Sequence, residues 1–326
     1  DIKGGQSAGV FNITKGSVQW FQGAGVFNIA GSGQVGFQGA GVFNILDDDV
    51  RGVQGAGVFN IADGSVHGFQ GAGVFNLAEN RVNGFQGAGV LNVAGGGVNG
   101  VQAAGVVNVG ETVNGAQLGL INIGGSVHGI QVGLINISNA MYGLPIGLIN
   151  ISGNGLFDPS VWSDDLGFTY GGFQMGAGAF YSMLYVGGPY QNPLSALAIG
   201  AGLGIHADFN PFYFDVDVSL KSLADGGDIA SAVTNSALAF ADAWNAAQRD
   251  TSWPVSVYPM VRATAGFTLF RRVSIFAGLS LEAHIPGVTE KTQYFHAGSP
   301  WVVSTPESAL GFLMEFYPRW YAGIRL

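Results

Sequence analysis

The sequence contains no cysteine and little charge. Without cysteine the chain can have no disulfide, thiolate metal ligand or cysteine nucleophile. Charged residues make up 10% of the 326 residues, against roughly 25% in typical soluble domains. Lysine and arginine total only 12 and the formal net charge is −9. We therefore expect no nucleic-acid partner, because proteins that bind phosphate backbones concentrate basic residues.

Long apolar runs are also missing. A membrane-spanning helix needs about 20 consecutive apolar residues, whereas glycine or polar residues interrupt each stretch of this chain. Mean hydropathy is nevertheless positive, at +0.32. The composition therefore favours a membrane protein that crosses the bilayer with strands. The chain starts at Asp1 without a basic and apolar leader, which fits both a cytosolic protein and an exported protein whose signal peptide has been removed. Because of the composition, we expect the exported protein.

Glycine is abundant, with 55 residues, and many of them belong to an internal repeat. The unit reads Val-x-Gly-Phe-Gln-Gly-Ala-Gly-Val-Phe-Asn-Ile-Ala, followed by a short polar turn, as in 82–94. About ten repeats of 14–16 residues fill 1–156. Their most regular positions are two amide rows: Asn12, Asn28, Asn44, Asn60, Asn76, Asn92, Asn108, Asn122, Asn136 and Asn150, and Gln22, Gln38, Gln54, Gln70, Gln86, Gln102, Gln117 and Gln131.

Two folds can use this unit: a parallel β-solenoid with one repeat per coil, or an antiparallel meander with one strand per repeat. In a parallel stack, identical positions lie about 4.8 Å apart and amides can form ladders. The glutamine-to-asparagine separation is six residues at Gln86 and Asn92 but five at Gln117 and Asn122. A corner absorbs this change, whereas a continuous strand would switch faces. We favour the solenoid and keep the meander open, because the unit also alternates as a membrane strand does.

The regular spacing of the amides and phenylalanines from repeat to repeat is compatible with structural or binding roles. The amides can form a ligand-binding row on an exposed sheet or an internal ladder that satisfies its own hydrogen bonds, and we favour the ladder. The recurring phenylalanines, such as Phe27 and Phe69, are interpreted as core stacking. Aliphatic residues such as Ile121 and Ile135 replace them in later repeats, which suits a requirement for volume rather than for a specific aromatic contact.

A different pattern begins after the turn-forming residues 152–155. From Phe214 to Lys221, apolar and polar residues alternate strictly. Predicted strands such as 174–186 and 196–208 are longer than soluble strands and match the roughly 9–11 residues that cross a bilayer. The sequence predicts an antiparallel outer-membrane-type β-barrel of 7–8 strands over 157–326. Its last two predicted strands are 309–316 and 319–326, separated by a turn at Pro318, and one helical loop is predicted near 229–248.

The polar faces of these strands carry charges that either line a selective pore or form ion pairs in a filled interior. We favour the filled interior, because about eight strands leave no room for a wide channel and buried charges must pair. The predicted interior charges are Asp215, Asp217, Lys221, Arg262, Glu282, His284 and Arg325. Aromatic residues near the strand ends predict interface girdles; they are Tyr181, Tyr185, Tyr190, Phe209, Phe212, Tyr213, Tyr258, Phe316, Tyr317, Trp320 and Tyr321.

Other candidate sites are weaker. The acidic run 47–49 can bind calcium, but a solvated turn is the preferred interpretation. The five histidines have no metal-ligand spacing, and the Gly-Ala-Gly runs lack the Lys and Ser or Thr of a phosphate-binding loop. No grouping of Ser, His and Asp indicates a nucleophile. We therefore expect a protein that is not an enzyme, with no catalytic residue, metal or cofactor.

Two resemblances extend this interpretation. The C-terminal alternation, ending in Arg319-Trp-Tyr-Ala-Gly-Ile-Arg-Leu326, resembles small outer-membrane β-barrels, although that family usually ends in an aromatic residue. The units Gly-Ala-Gln-Leu-Gly-Leu-Ile-Asn-Ile (115–123) and Gly-Ile-Gln-Val-Gly-Leu-Ile-Asn-Ile (129–137) resemble the surface-repeat proteins of leptospires and other diderm bacteria. That family implies a location in the cell envelope and no established chemistry.

These observations predict a structural protein of the bacterial outer membrane and cell surface that acts in self-assembly, display or adhesion. Its expected partners are the lipid bilayer and copies of itself or other envelope proteins. The alternative is an outer-membrane pore in which the repeats are themselves barrel strands, giving roughly 18 strands in all, a number within the range of porin-like barrels.

Overall fold

The computed structural model describes residues 1–193, 195–225, 256–270, 273–284, 301–304 and 313–326. Over these ranges the chain is all-β, and no helix is long and apolar enough to cross a membrane. It divides into two compact units, Asp1–Leu156 with Gly176–Gly178, and Phe157–Met175 with Ala179–Leu326. The predicted helical loop near 229–248 lies outside the described residues.

The first unit is a solenoid of parallel strands. Short strands alternate between an asparagine-bearing and a glutamine-bearing sheet, except that two 12-residue strands, Val107–Leu118 and Ile121–Val132, contribute to both. The strands are β1 (Ile2–Ala8), β2 (Phe11–Thr14), β3 (Val18–Ala24), β4 (Phe27–Ala30), β5 (Gln34–Ala40), β6 (Phe43–Leu46), β7 (Val50–Ala56), β8 (Phe59–Ala62), β9 (Val66–Ala72), β10 (Phe75–Ala78), β11 (Arg81–Ala88), β12 (Leu91–Ala94), β13 (Gly97–Ala104), β14 (Val107–Leu118), β15 (Ile121–Val132), β16 (Ile135–Met141), β17 (Leu144–Ile146) and β18 (Ile149–Ser152).

Equivalent positions of successive repeats pair in parallel and in register. Asn60 pairs with Asn76, which pairs with Asn92, and the same registry links the asparagine-bearing strands from β2 to β18. The predicted parallel β-solenoid is confirmed. The antiparallel meander is therefore wrong, as is the alternative in which the repeats are barrel strands. The shorter glutamine-to-asparagine separation in later repeats falls at the bend around 119–120, where a corner absorbs it.

Most coils direct a valine, a glutamine, an asparagine and a small residue inward. In the middle of the stack these are Val66, Gln70, Asn76 and Ala78, all with 0% exposure. Because side chains alternate across a strand, the residues on either side of each amide face outward. The interpretation of the phenylalanines as core residues is consequently wrong: Phe69 is 41% exposed, and the rings stack along the outside of the solenoid.

At one position of the repeat the backbone conformation requires glycine. Gly52 and Gly68 have φ values of +130° and +135°, which strain residues that carry a Cβ. A Cβ at either position would also collide with the carbonyl oxygen of the glycine one coil earlier. Trp20 occupies the same row with φ +95°, so it is held in a conformation that favours glycine.

The second unit is an antiparallel β-barrel. Its strands are β19 (Leu156–Asp164), β20 (Phe168–Ala177), β21 (Phe180–Pro189), β22 (Ala196–Phe209), β23 (Phe212–Asp225), β24 (Ser256–Phe270), β25 (Val273–His284), β26 (Trp301–Ser304) and β27 (Leu313–Arg325). Consecutive strands are neighbours from β19 to β25, and β25 pairs with β27. Pairing of β19 with β27 then closes an eight-stranded barrel, and β26 adds a short pairing to β27. The predicted barrel is confirmed.

Two predicted strand boundaries are wrong. The segment 174–186 is not one strand, because the chain turns between β20 and β21 at Gly178, whose φ is +59°. The predicted turn at Pro318 lies instead within β27. On one side of β27, β26 pairs up to Phe316 and β19 pairs from Tyr321. Pro318 falls between these two pairings, where a residue without an N–H is tolerated.

Candidate functional site

The amide rows form two buried ladders inside the solenoid. In the asparagine ladder, Nδ2 of each residue donates to Oδ1 of the next, from Asn12 to Asn150, over 2.7–3.1 Å. In the glutamine ladder, Nε2 donates to Oε1 of the previous coil, from Gln131 back to Gln22, over 2.7–2.9 Å. The two chains of amide dipoles therefore run in opposite directions along the stack.

The second proton of each asparagine amide is used as well. Asn76 Nδ2 also donates to the Gly87 carbonyl at 2.6 Å, and Asn92 Nδ2 donates to the Ala103 carbonyl at 2.9 Å. Because both residues are fully buried, their amides have neither free protons nor solvent contact with which to bind a ligand. The ladders hold the coils together, as buried amides do when their hydrogen-bonding capacity is used internally.

The glutamine ladder has a defined end in the first coils. Gln22 Nε2 has no hydrogen-bond partner, because the preceding residue of the row, Gln6, donates instead to Thr14 Oγ1 at 2.9 Å. At the other end, Pro145 takes the glutamine position and pairs with Gln131 through the backbone register. The ladder therefore extends over the eight consecutive repeats that contain glutamine, from Gln22 to Gln131.

The barrel interior contains a network of ion pairs. Asp217 accepts hydrogen bonds from Arg262 Nε at 2.8 Å and Nη2 at 3.0 Å. Asp215 pairs with Arg325, and Lys221 Nζ pairs with Glu282 Oε1 at 2.6 Å. The Arg262 guanidinium also lies over the rings of three aromatic residues, which are Trp162, Tyr185 and Tyr321.

All seven interior charges named from the sequence are buried, with exposures of 1–6%. The seventh, His284, has Nδ1 3.1 Å from Glu315 Oε2. Sequence reasoning missed His206, whose Nδ1 lies 2.6 Å from Asp215 Oδ1. Strand alternation could have identified His206, because the neighbouring Ile205 faces outward and His206 must then face inward. His206 also lies directly opposite Asp215 in the pairing of β22 with β23.

Tyrosines fill the rest of the interior. Tyr181, Tyr185, Tyr213, Tyr258, Tyr317 and Tyr321 are at most 5% exposed. The prediction that they belong to an outer aromatic girdle is therefore wrong, because strand parity directs them inward; Tyr190, Phe209, Phe212 and Trp320 do face outward. Several interior rings lie against glycines of a neighbouring strand, and a Cβ at Gly200 or Gly266 would collide with Tyr185 or Tyr213.

A small cavity remains among these side chains. It has a volume of about 20 Å³ and is lined by charged and aromatic residues, including Lys221, Arg262 and Glu282. This is space for about one water molecule. At this level of the barrel the interior is filled by side chains, and the two cations that line the cavity, Lys221 and Arg262, each form a direct ion pair.

The outer face of the barrel is apolar. Along β23, Phe212, Phe214, Val216, Val218 and Leu220 are 50–61% exposed, while Asp215, Asp217, Ser219 and Lys221 between them are 1–2% exposed. Neighbouring strands behave in the same way, with Ile199, Leu203, Val261, Leu279 and Ile324 outside. Placing charge inside and apolar side chains outside is the reverse of the arrangement in a soluble sandwich.

The remaining candidates contain no assembled site. His67 and His128 are exposed residues of strands β9 and β15. His67 contacts Asn83, and His128 stacks on Tyr142. In the acidic turn, Asp49 accepts a hydrogen bond from the Ser65 N–H. Among the described residues, no group of three or more His, Cys, Asp or Glu side chains is placed to hold a metal ion.

Comparison with known proteins identified no relative. No family model matches the sequence, and neither a curated protein nor a solved structure matches the chain.

Proposed function

We propose that the chain is a structural protein of the bacterial outer membrane and cell surface, without enzymatic activity, whose barrel is embedded in the lipid bilayer. The observation that carries this proposal is the apolar outer face around a charged, ion-paired interior. On β23 the apolar face runs from Phe212 to Leu220, a stretch of the length that a tilted strand needs to cross the hydrocarbon layer. Pairing of β19 with β27 closes the barrel, and a closed barrel is one of the two structures that satisfy their backbone hydrogen bonds within a membrane.

The solenoid serves as a rigid element for display, adhesion or assembly with copies of the chain or other envelope proteins. Ten coils extend over about 48 Å at the spacing of adjacent strands. Rigidity is supported by the two continuous amide ladders and by the in-register parallel pairing. The repeat units at 115–123 and 129–137 support a relationship to leptospiral-type surface-repeat proteins, and we keep that relationship as part of the proposal.

Membrane insertion can be tested with single-cysteine variants, because the native chain has no cysteine. In reconstituted vesicles, a fluorophore attached at V218C or L279C should be quenched by lipids brominated in their acyl chains and protected from aqueous iodide. The matched control is N210C in the exposed turn between β22 and β23, where we expect the opposite result. Quenching of the label at V218C by iodide in intact vesicles would contradict the membrane placement.

The filled interior leads us to propose that the barrel is an anchor and not an open pore. The purified chain in planar bilayers should carry no steady current, because ion pairs such as Arg262 with Asp217 occupy the lumen. Steady channel currents that persist after repurification would overturn this part of the proposal while leaving the membrane placement intact.

A further inference from the structure

The sheet formed by the asparagine-bearing strands has an outer surface, here called the Asn face, that is uniformly apolar. Two rows flank the buried asparagines. They are Phe11, Phe27, Phe43, Phe59, Phe75, Leu91, Val107, Ile121, Ile135 and Ile149 on one side, and Ile13, Ile29, Ile45, Ile61, Leu77, Val93, Val109, Ile123, Ile137 and Ile151 on the other. None of these side chains can form a hydrogen bond, so the Asn face offers only packing contacts.

The Asn face is also nearly flat where its rings can be compared. From Phe27 to Phe75, successive rings lie 4.9 Å apart with interplanar angles of 0–5°, so consecutive coils hardly rotate relative to one another. Most β-sheets twist, and untwisted sheets occur where flat faces stack or where side-chain ladders join the strands, as the asparagine ladder does here. A flat face can remain in contact with a second flat face over its full length.

The size of the Asn face is sufficient for a stable interface. Ten strands at about 4.8 Å and four residues at about 3.3 Å give an area of roughly 600 Å². Pairing two copies would bury about 1,200 Å², which exceeds the roughly 1,000 Å² expected of a specific interface. The opposite sheet is less suitable, because its outward row contains polar residues such as Arg51, His67 and Asn83.

Charge selects the orientation of such a pair. One rim of the Asn face carries the exposed acidic residues Asp47, Asp63, Glu79 and Glu111, whereas the other rim is the Gly-Ala-Gly-Val corner. A twofold axis perpendicular to the stacking direction and parallel to the face would bring the two acidic rims together, and like charges would repel. An axis along the stacking direction places each acidic rim beside the partner's uncharged corner.

From this geometry we propose that two copies of the chain dimerise through their Asn faces, with the twofold axis along the stacking direction and each coil opposite the same coil of the partner. An apolar centre with a charged rim is the ordinary anatomy of a protein interface. This inference specifies the partner and the surface of the assembly role given under the proposed function, and it rests on that role for its biological setting.

The test uses the full chain in detergent and cross-linking between single cysteines with a short bis-maleimide. I29C, I61C and I137C should each give a covalent dimer, because every coil faces its equivalent. H67C on the opposite sheet should give no covalent dimer, because that sheet lies outside the proposed interface. Dimers from I61C but from neither I29C nor I137C would overturn the parallel orientation, since an antiparallel pair separates equivalent end coils much farther than equivalent coils near the middle. No dimer from any of the three variants would overturn the proposal.

A second measurement separates dimerisation from lipid contact and from misfolding. The double variant F59E/I61E should sediment as a monomer with unchanged circular dichroism, while F69E on the opposite sheet should remain a dimer. I61C can also be labelled with a fluorophore in vesicles. If brominated acyl chains quench this label and the unlabelled I61C gives no cross-linked dimer, the Asn face binds lipid and the proposed dimer is wrong. The V218C label reports separately on the barrel, so failure of the dimer and failure of the membrane placement give different results.

Discussion

In the solenoid the buried amides are neutral and are bonded to their own copies one coil away, whereas in the barrel the buried charges are bonded to partners of opposite charge from other strands. Asn76 is bonded to Asn60 and Asn92; Arg262 is bonded to Asp217. Both units nevertheless bury a row or network of polar side chains and expose many apolar ones. The comparison shows that this arrangement can be stabilised by repetition or by specific pairs, and the two solutions should respond differently to mutation.

The largest expected effect is the loss of one member of a barrel ion pair. R262M leaves the carboxylate of Asp217 buried without its guanidinium, which should destabilise the barrel by about 3–5 kcal/mol. Urea unfolding of the reconstituted chain, followed by the heat-modifiable migration of the barrel on gels, measures this loss. R51M is the control in the solenoid: Arg51 and Asp49 form an exposed pair at 3.9 Å, worth less than about 1 kcal/mol. Equal losses in the two variants would contradict the comparison.

Loss of a ladder amide should have the next largest effect. N76L removes the hydrogen bonds to Asn60, Asn92 and the Gly87 carbonyl, and unsatisfied buried groups cost about 1–3 kcal/mol. N76L/N92L should cost less than the sum of its single variants, because both break the same bond. N28L/N92L, with sites four coils apart, should be additive. Hydrogen exchange of solenoid amides gives these free energies, and additivity in both double variants would refute a coupled ladder.

Filling a glycine contact inside the barrel should have a smaller effect. G266A places a methyl group against the Tyr213 ring, and overpacking of this kind costs about 1–3 kcal/mol. The matched control is G171A, because nothing lies within 4 Å of a Cβ at Gly171. Midpoints of urea unfolding compare the two variants. A larger loss for G171A than for G266A would show that the tyrosine–glycine contacts do not determine barrel packing.

The smallest expected effect is a gain in stability. Trp20 has a φ of +95° in a row otherwise occupied by glycine in the neighbouring coils, and relieving such strain is worth about 1 kcal/mol or more, before the entropy of an added glycine is subtracted. W20G should therefore raise the protection of nearby amides against hydrogen exchange by up to several fold. G68A makes the reverse change in the same row and should lower protection. A loss of protection in W20G would indicate that the exposed indole makes a stabilising contact.

Most of the architecture was predictable from local pattern. The change from six to five residues between glutamine and asparagine identified corners and hence a solenoid, and the strict alternation around Asp215 and Asp217 identified inward charges. The errors arose where pattern is ambiguous. Phe69 is apolar, but the side chain of the adjacent Gln70 points inward. The alternation of side chains along the strand therefore places Phe69 outside in spite of its hydrophobicity. Pro318 resembles a turn residue, yet its place in β27 depends on which neighbouring strands pair on either side.

The sequence by itself determined the repeat length and the side of each strand on which polar residues lie, because these follow from spacing and from the twofold alternation of β-strands. It favoured parallel registry, which the strand pairing then decided. Only the tertiary structure decided the partners: which carboxylate meets Arg262, that His206 joins Asp215, and that tyrosine rings lie on glycines of neighbouring strands. Those contacts depend on barrel closure and strand register, which bring together residues far apart in the chain, as Asp215 and Arg325 are.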